Sequence, residues 1–205
     1  MVTIRPYQIA DAEALIAVQR LCFPPPFLES LLWTPAQLAS HIQHCTEGAL
    51  CAVSDGIIIG SATAHRIHFD PTHAQHTWAE ASADGWLSNH DPHGDTLYGV
   101  DIAVAPAWRG HGVARLLYQA RYDLVRRWKL KRFLAGSRLA GLHRHPDLEP
   151  EIYADGVVAG RFNDPVITPQ LRAGLTPIAI VRGYLHDVDA RDCALLMQWQ
   201  NPEIP

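Results

Sequence analysis

The chain has no run of about 18 apolar residues, the length that crosses a bilayer as a helix, and no membrane association is expected. It opens Met-Val-Thr-Ile-Arg-Pro, without the charged-then-apolar plan of an export signal. Its four cysteines, Cys22, Cys45, Cys51 and Cys193, include no Cys-x-x-Cys pair, so neither a zinc site nor a disulfide framework is indicated. A reducing cytoplasm is therefore the expected compartment. Lysine and arginine number 17 against 21 aspartates and glutamates, a net charge of −4, and no basic field argues for nucleic acid as partner. Internal repeats and low-complexity tracts are absent.

What remains is an ordinary globular composition, 48% apolar and 19% charged over 205 residues, enough for one well-buried domain and short for two. The most informative stretch runs from Asp101 to Trp128. Tyr98 to Val104 reads as an apolar strand that Pro106 stops, because proline has no N–H for a ladder. A turn with Gly110 and Gly112 follows. Val113, Leu116, Leu117, Ala120, Leu124, Val125 and Trp128 then recur at the spacing of one helix face. Such a strand, glycine turn and helix aims free backbone N–H groups and a helix dipole at one point, where an anion binds. Arg109 adds a planar cation suited to phosphate oxygens, and Arg115 is near enough to meet a phosphate. An ordinary strand-to-helix turn is the plainer reading of a glycine pair.

The string Gly-x-x-x-x-Gly-Lys-Ser/Thr of a P-loop does not occur. A dinucleotide fingerprint fails as well, since Arg115 stands where its third glycine belongs and no acidic residue lies about 20 positions further on. Arg109-x-x-Gly112-x-Ala114 instead resembles the Gln/Arg-x-x-Gly-x-Gly/Ala signature of GCN5-related N-acetyltransferases (GNAT), whose loop binds the pyrophosphate of acetyl-CoA. Other stretches resemble the acetyltransferase domain that some bacterial proteins carry joined to a carbon–nitrogen hydrolase domain: His76-Thr77-Trp78, Ser88 to Pro92, Gly94 to Gly99, His143 to Pro146, Asp164-Pro165-Val166 and Gln200-Asn201-Pro202. The resemblance spans nearly the whole chain, and residues for a hydrolase half are absent.

Elsewhere, Val2 to Arg5 alternates as a strand and Ala10 to Leu21 reads as a helix, broken by Pro24-Pro25-Pro26. Thr34-Pro35 caps a helix to about His44. Leu50–Val53 and Ile57–His68 read as a hairpin across Asp55-Gly56. Residues 70–95 carry four histidines with Trp78 and Trp86 and little periodicity; this is an ordered lid or a disordered excursion, with the tryptophans favouring the lid. Arg132 to Ala135 is a strand, Glu151 to Ala159 a possible helix, and Asp164 to Ala173 a helix capped by Asp164, with Pro165 first and Gly174 ending it. Pro177–Val181 and Ala194–Trp199 are the last strands. This order fits the GNAT fold: a single α/β domain over 1–205, with a mixed, mostly antiparallel sheet of about seven strands and helices on both faces.

The resemblance implies an acetyl-CoA-dependent N-acetyltransferase, bacterial in type, in which an amine attacks the thioester directly. Ile102, Ala103 and Val104 would hold the pantetheine arm where the fourth and fifth strands splay, the backbone of Ile102 and Val104 pairing with it. Arg109, Gly110, His111, Gly112, Val113, Ala114 and Arg115 would take the pyrophosphate. Asp101 lies close to where relatives often place an acidic residue, and is the candidate base, with Asp91, His90 and His93 as rivals. Many relatives carry a tyrosine acid in the helix after the fifth strand, four residues before the glycine that ends it; here that position is Gln170, which cannot deliver a proton. Tyr184 and Tyr153 are the substitutes, either of which also suits a packing role. Cys51 and Cys193 lie in apolar strands without a neighbouring histidine and are disfavoured as nucleophiles. His143 with His145, or His73 with His76, suggests metal only if a third ligand converges, and no metal is expected.

The acceptor is a small-molecule or peptide amine, and a homodimer through the final strands is possible. The missing tyrosine keeps a second reading open, an acyl-CoA-binding sensor or partner domain without catalysis. An NADP-type nucleotide binder is the third.

Overall fold

The computed structural model describes residues 1–25 and 27–204; the expectation for Pro26 lies outside them. Seven strands form one sheet in the order β1-β2-β3-β4-β5-β7-β6. They are β1 (Val2–Pro6), β2 (Ala49–Ser54), β3 (Ile57–Ile67), β4 (Thr96–Val104), β5 (Arg132–Arg138), β6 (Thr176–Val181) and β7 (Ala194–Gln200). Only β4 and β5 run parallel; every other pair is antiparallel. The parallel pair is joined by the helix after the glycine turn, as a crossover requires. The single mixed, mostly antiparallel sheet of seven strands expected from the sequence is the observed one.

Helices α1 (Ala12–Cys22), α2 (Pro35–Cys45) and α3 (Trp78–Ser82) cover one face, and α4 (Val113–Arg127), α5 (Pro150–Val158) and α6 (Ile167–Arg172) the other. Alternation along the central strands sorts the core between them. Leu97, Phe133, Leu195 and Met197 pack under α4, while Tyr98, Val100, Leu134 and Leu196 pack under α1–α3.

Local chemistry sets several boundaries. Thr34 caps α2 in a reciprocal box with Gln37, Pro35 takes the first turn, and Asp55 and Gly56 both adopt positive φ in the β2–β3 turn. The final helix differs from expectation. It starts at Ile167 rather than Asp164, and Pro165 lies ahead of it. Asp164 is fully buried and does more than cap: Oδ1 accepts from Val166 and Ile167 N–H, and Oδ2 from Gly141 N–H and the Tyr153 hydroxyl.

Residues 70–95 are ordered. Thr77 and Glu80 box the start of α3, Trp78 stacks on Trp33 with centroids 5.8 Å apart, and Trp78 Nε1 donates to the Val100 carbonyl at 3.1 Å. Trp86 remains 41% exposed, so one tryptophan of the pair ties the segment to the sheet.

Two irregularities in β4 create the site. A bulge between β3 and β4 pairs Thr63 with Asp101 and Ala64 with Gly99, leaving Val100 without a partner. The β4–β5 ladder then ends at Gly99 and Ala135, while β5 continues to Arg138 against β7 alone. Beyond Gly99 the two parallel strands fork, and the β5-facing side of Asp101–Val104 has no strand against it.

Candidate functional site

The fork opens into an apolar cavity of about 200 Å³. Phe23, Phe27, Leu31, Leu32, Trp33 and Trp78 wall one side; Gln19, Asp101, Arg121, Arg138, Gln170 and Tyr184 are its polar lining. At the outer end of β4 lies the glycine turn. Gly110 has φ +80° and Gly112 φ +81°, and a Cβ at either would have no atom within 4 Å. Both glycines are therefore needed for the backbone conformation and leave open space above it. Gly112 caps α4, so the N–H groups of the first turn point out of the protein beside Arg109 and His111. Arg109 Nε donates to the Val104 carbonyl at 3.3 Å, and His111 Nδ1 to the Arg109 carbonyl at 3.0 Å. Turn and fork thus lie at two ends of one β4 edge, in the order the sequence implied for Arg109–Arg115 and Ile102–Val104.

Asp101 is partly buried. Its Oδ1 accepts from the Thr63 N–H at 2.9 Å, and its Oδ2 is buried without a partner. Behind it stands a residue that the sequence reading missed. Arg121 on α4 is 1% exposed, and its Nη2 donates to the Thr63 carbonyl at 2.9 Å and also to the Asp101 carbonyl. The guanidinium thereby bridges β3 and β4 at the bulge through one carbonyl of each strand. Phe133 and Tyr118 cover it at 5.2 and 5.8 Å, and burial pulls its pKa down. Helical periodicity places Arg121 on the same face as Leu117 and Leu124, but an arginine there reads as a gap in an apolar stripe.

Tyr184 lines the same cavity, and burial pushes its phenol up to about 12. Its ring lies against Gly136 so closely that a Cβ there would stand 2.2 Å from Cζ. Gln170 also reaches the cavity, where its Oε1 accepts from the buried Ser137 hydroxyl. Tyr153 does not: its hydroxyl is held by Asp164 under α5. The rival bases also lie elsewhere. Arg66 N–H donates to His90 Nδ1, Asp91 faces His68, and neither His93 nor these two line the fork cavity.

The cysteines are free. Burial raises the thiols of Cys51 and Cys193, the latter just ahead of β7 rather than within it. Cys22 comes closest to the fork, donating to the Val104 carbonyl at 3.2 Å, and burial raises its pKa too. Among the described residues no three histidine, cysteine or acidic side chains are grouped to hold a metal ion. His143 Nδ1 donates to Ala140, His145 packs on Phe162 with centroids 4.5 Å apart, and His73 pairs with Asp70. No helix is long and apolar enough to cross a membrane among the described residues.

The acetyltransferase (GNAT) family model matches residues 12–144. A Bacillus subtilis (strain 168) protein named uncharacterized N-acetyltransferase YkwB is 44% identical over 200 residues, which cover 97% of this chain and 88% of that one. Probable hydrolase YhcX of the same organism is 36% identical over 200 residues; these cover 97% of this chain but 38% of that protein. The solved structure of the GphF GNAT-like decarboxylase in complex with isobutyryl-CoA superimposes with a TM-score of 0.77, covering 97% of this chain and 99% of that one. At 24% identity this last likeness is one of fold.

Proposed function

The chain belongs to the acetyltransferase (GNAT) family, and from that membership we propose how its residues serve an acetyl-CoA-dependent N-acetyltransferase. Bound acetyl-CoA supplies a thioester whose acetyl carbon an amine attacks, with the CoA thiol leaving. The Arg109 guanidinium and the N–H groups from Gly110 to Ala114 hold the pyrophosphate, with Arg115 within reach on the first turn of α4. The two positive-φ glycines and the open space above them support this reading. Ile102, Ala103 and Val104 hold the pantetheine arm as a strand-like partner on the free edge of β4.

Asp101 is the base. A carboxylate oxygen that is buried without a hydrogen-bond partner gains most from a proton donor brought beside it, and an attacking amine is such a donor. Tyr184, on the same cavity, exchanges the second proton. The observation that carries the reading is the β4 edge, which runs from Asp101 in a small apolar cavity toward the open, positive-φ glycine turn at the start of α4.

The aromatic wall suits a small amine with an apolar body, or the end of a peptide, rather than a highly charged acceptor. Residues 70–95, tied to the sheet by Trp78, act as the lid over that wall in a single domain. β6 is a sheet edge and is the surface through which a homodimer would extend the sheet. Four free thiols fit the cytoplasm, and relatives from Bacillus subtilis fit a bacterial source. Acetyl-CoA titrated into isotope-labelled protein tests the cofactor assignment. It should shift the amides of Ile102–Val104 and Gly110–Arg115; shifts confined to other segments would overturn it.

A further inference from the structure

Three side chains outside the cofactor turn form a line of hydrogen bonds between two cavities. Tyr184 lines the fork cavity, whereas Tyr98 and His76 line a second cavity on the lid side, together with His68, Asp70, His73, Glu80 and Asp91. The Tyr184 and Tyr98 hydroxyls lie 2.9 Å apart, and the Tyr98 hydroxyl lies 2.8 Å from His76 Nε2. The positions are well fixed. The His76 ring meets Tyr98 edge-on at 5.6 Å and Tyr184 at 5.8 Å, and the Tyr184 carbonyl accepts from Trp78 N–H at 2.7 Å.

The direction of these bonds follows from the other imidazole nitrogen. His76 Nδ1 lies 2.8 Å from the Ala74 carbonyl, which can only accept, so Nδ1 carries the hydrogen. In the neutral ring Nε2 is then an acceptor. Tyr98 must donate to it, and the Tyr98 oxygen is left to accept from Tyr184. Tyr184 therefore turns its hydrogen away from the fork cavity and leaves an oxygen lone pair free on that side.

We propose that Tyr184, Tyr98 and His76 form a proton outlet from the fork cavity, with His76 Nε2 as the acceptor at its outer end. This rests on the N-acetyltransferase reading. An acceptor arriving as an ammonium ion gives up two hydrogens as its N–C bond forms and the C–S bond breaks. The sulfur departs as a thiol with one of them, and the other must reach water. Asp101 Oδ2 carries the first from nitrogen toward sulfur. The second goes to the Tyr184 oxygen while the Tyr184 hydrogen passes to Tyr98 and the Tyr98 hydrogen to His76. The imidazolium so formed releases its proton into the outer cavity.

The state of His76 suits that task. Burial lowers its pKa from 6.5, and the bond to the Ala74 carbonyl and, less, Glu80 on α3 oppose the shift only in part. The other groups around the outer cavity are Asp70 and His73 from the preceding turn, His68 beyond β3 and Asp91 before β4, with Tyr98 and Tyr184 on the inner side. At neutral pH His76 is thus uncharged and able to accept.

Tyr98→Phe cuts the line at its middle without altering a residue of the fork cavity, and His76→Gln keeps an acceptor that cannot titrate. Each should lower kcat at pH 7 by about 10- to 100-fold, the scale of proton-transfer assistance, with KM for acetyl-CoA unchanged. In Tyr98→Phe the loss should shrink as pH rises toward the pKa of the acceptor amine, which then arrives already neutral. The wild-type rate should fall on the acid side with an apparent pKa below 6.5, and His76→Gln should lack that fall. Parallel profiles for wild type and both variants would overturn the outlet while leaving the transferase reading intact. Nitrogen-15 NMR of the histidines gives a readout independent of turnover. The Nδ1–H tautomer of His76 at neutral pH is expected; the Nε2–H tautomer would overturn the outlet even if no amine proved to be a substrate.

Discussion

Thr63 and Asp101 face each other across the β3–β4 bulge, and the Thr63 N–H donates to Asp101 Oδ1 at 2.9 Å. That bond fixes the carboxylate on its own strand and leaves Oδ2 buried and free. Arg121 on α4 donates to the carbonyls of the same two residues. One irregularity in a strand thus presents an unpartnered carboxylate oxygen to the cavity and is itself held in place by a buried cation.

Asp101→Asn should keep the bond from Thr63 through its amide oxygen and remove the base. CoA affinity should be unchanged, and turnover with amines should fall by about 100-fold or more near neutral pH. Steady-state kinetics over a pH series check this. An unchanged rate and profile would make Asp101 structural.

Arg121→Met keeps much of the apolar volume but removes the buried donor to the Thr63 and Asp101 carbonyls. Stability should fall by about 2–4 kcal/mol, and the melting temperature by roughly 5–15 °C. Because the bulge then loses its brace, Asp101 should lose its fixed position too, with kcat falling more than acetyl-CoA affinity. Thermal melts and kinetics on one preparation measure both.

Arg109→Ala combined with Gly112→Val removes the cation from the turn and puts a β-branched residue at φ +81°, where a side chain is strained by about 1–2 kcal/mol. Binding of acetyl-CoA should weaken by roughly 100-fold or more, as calorimetry would show, with a modest loss of stability. Unchanged affinity would move the pyrophosphate away from this turn.

His65 is buried on β3. Its Nε2 donates to the Ala81 carbonyl at 2.8 Å, and burial lowers its pKa from 6.5 to about 4. The unfolded chain therefore binds a proton between these values that the folded protein refuses. Stability is complete above pH 6.5 and falls as the pH drops toward 4, by ~3 kcal/mol for this group. His41, lowered by burial in the same direction, adds to the loss. Denaturant midpoints between pH 7 and pH 4 should show the slope, and His65→Asn should flatten it.

The glycine turn ahead of α4 is legible in the sequence because its signals are local. Arg109, Gly110 and Gly112 lie within four positions of one another, and the helix pattern follows at once. Residues 70–95 are legible as an ordered segment from their tryptophans, although not that Trp78 reaches β4 while Trp86 stays outside. The fork cavity is written across distance. Tyr98 and Tyr184 are 86 positions apart, Arg121 reaches Thr63 across 58, and Gln170 meets Ser137 across 33. In sequence Tyr98 is one residue of an apolar strand and His76 one of several histidines; only the sheet order brings them together. The start of α6 was misplaced for a similar reason, since the Asp164 carboxylate also serves Gly141 and Tyr153, partners that no capping pattern announces.

The central claim is that this chain transfers acetyl groups from acetyl-CoA to amines. Release of free CoA, followed with a thiol reagent across a panel of small apolar amines, amino acids and peptides, measures it directly. Release that requires an amine, favours acceptors with an apolar body and is lost in Asp101→Asn is the expected result. Tight binding of acetyl-CoA without amine-dependent release for any member of the panel would contradict the claim, and would mark the fork as a site for sensing acyl-CoA.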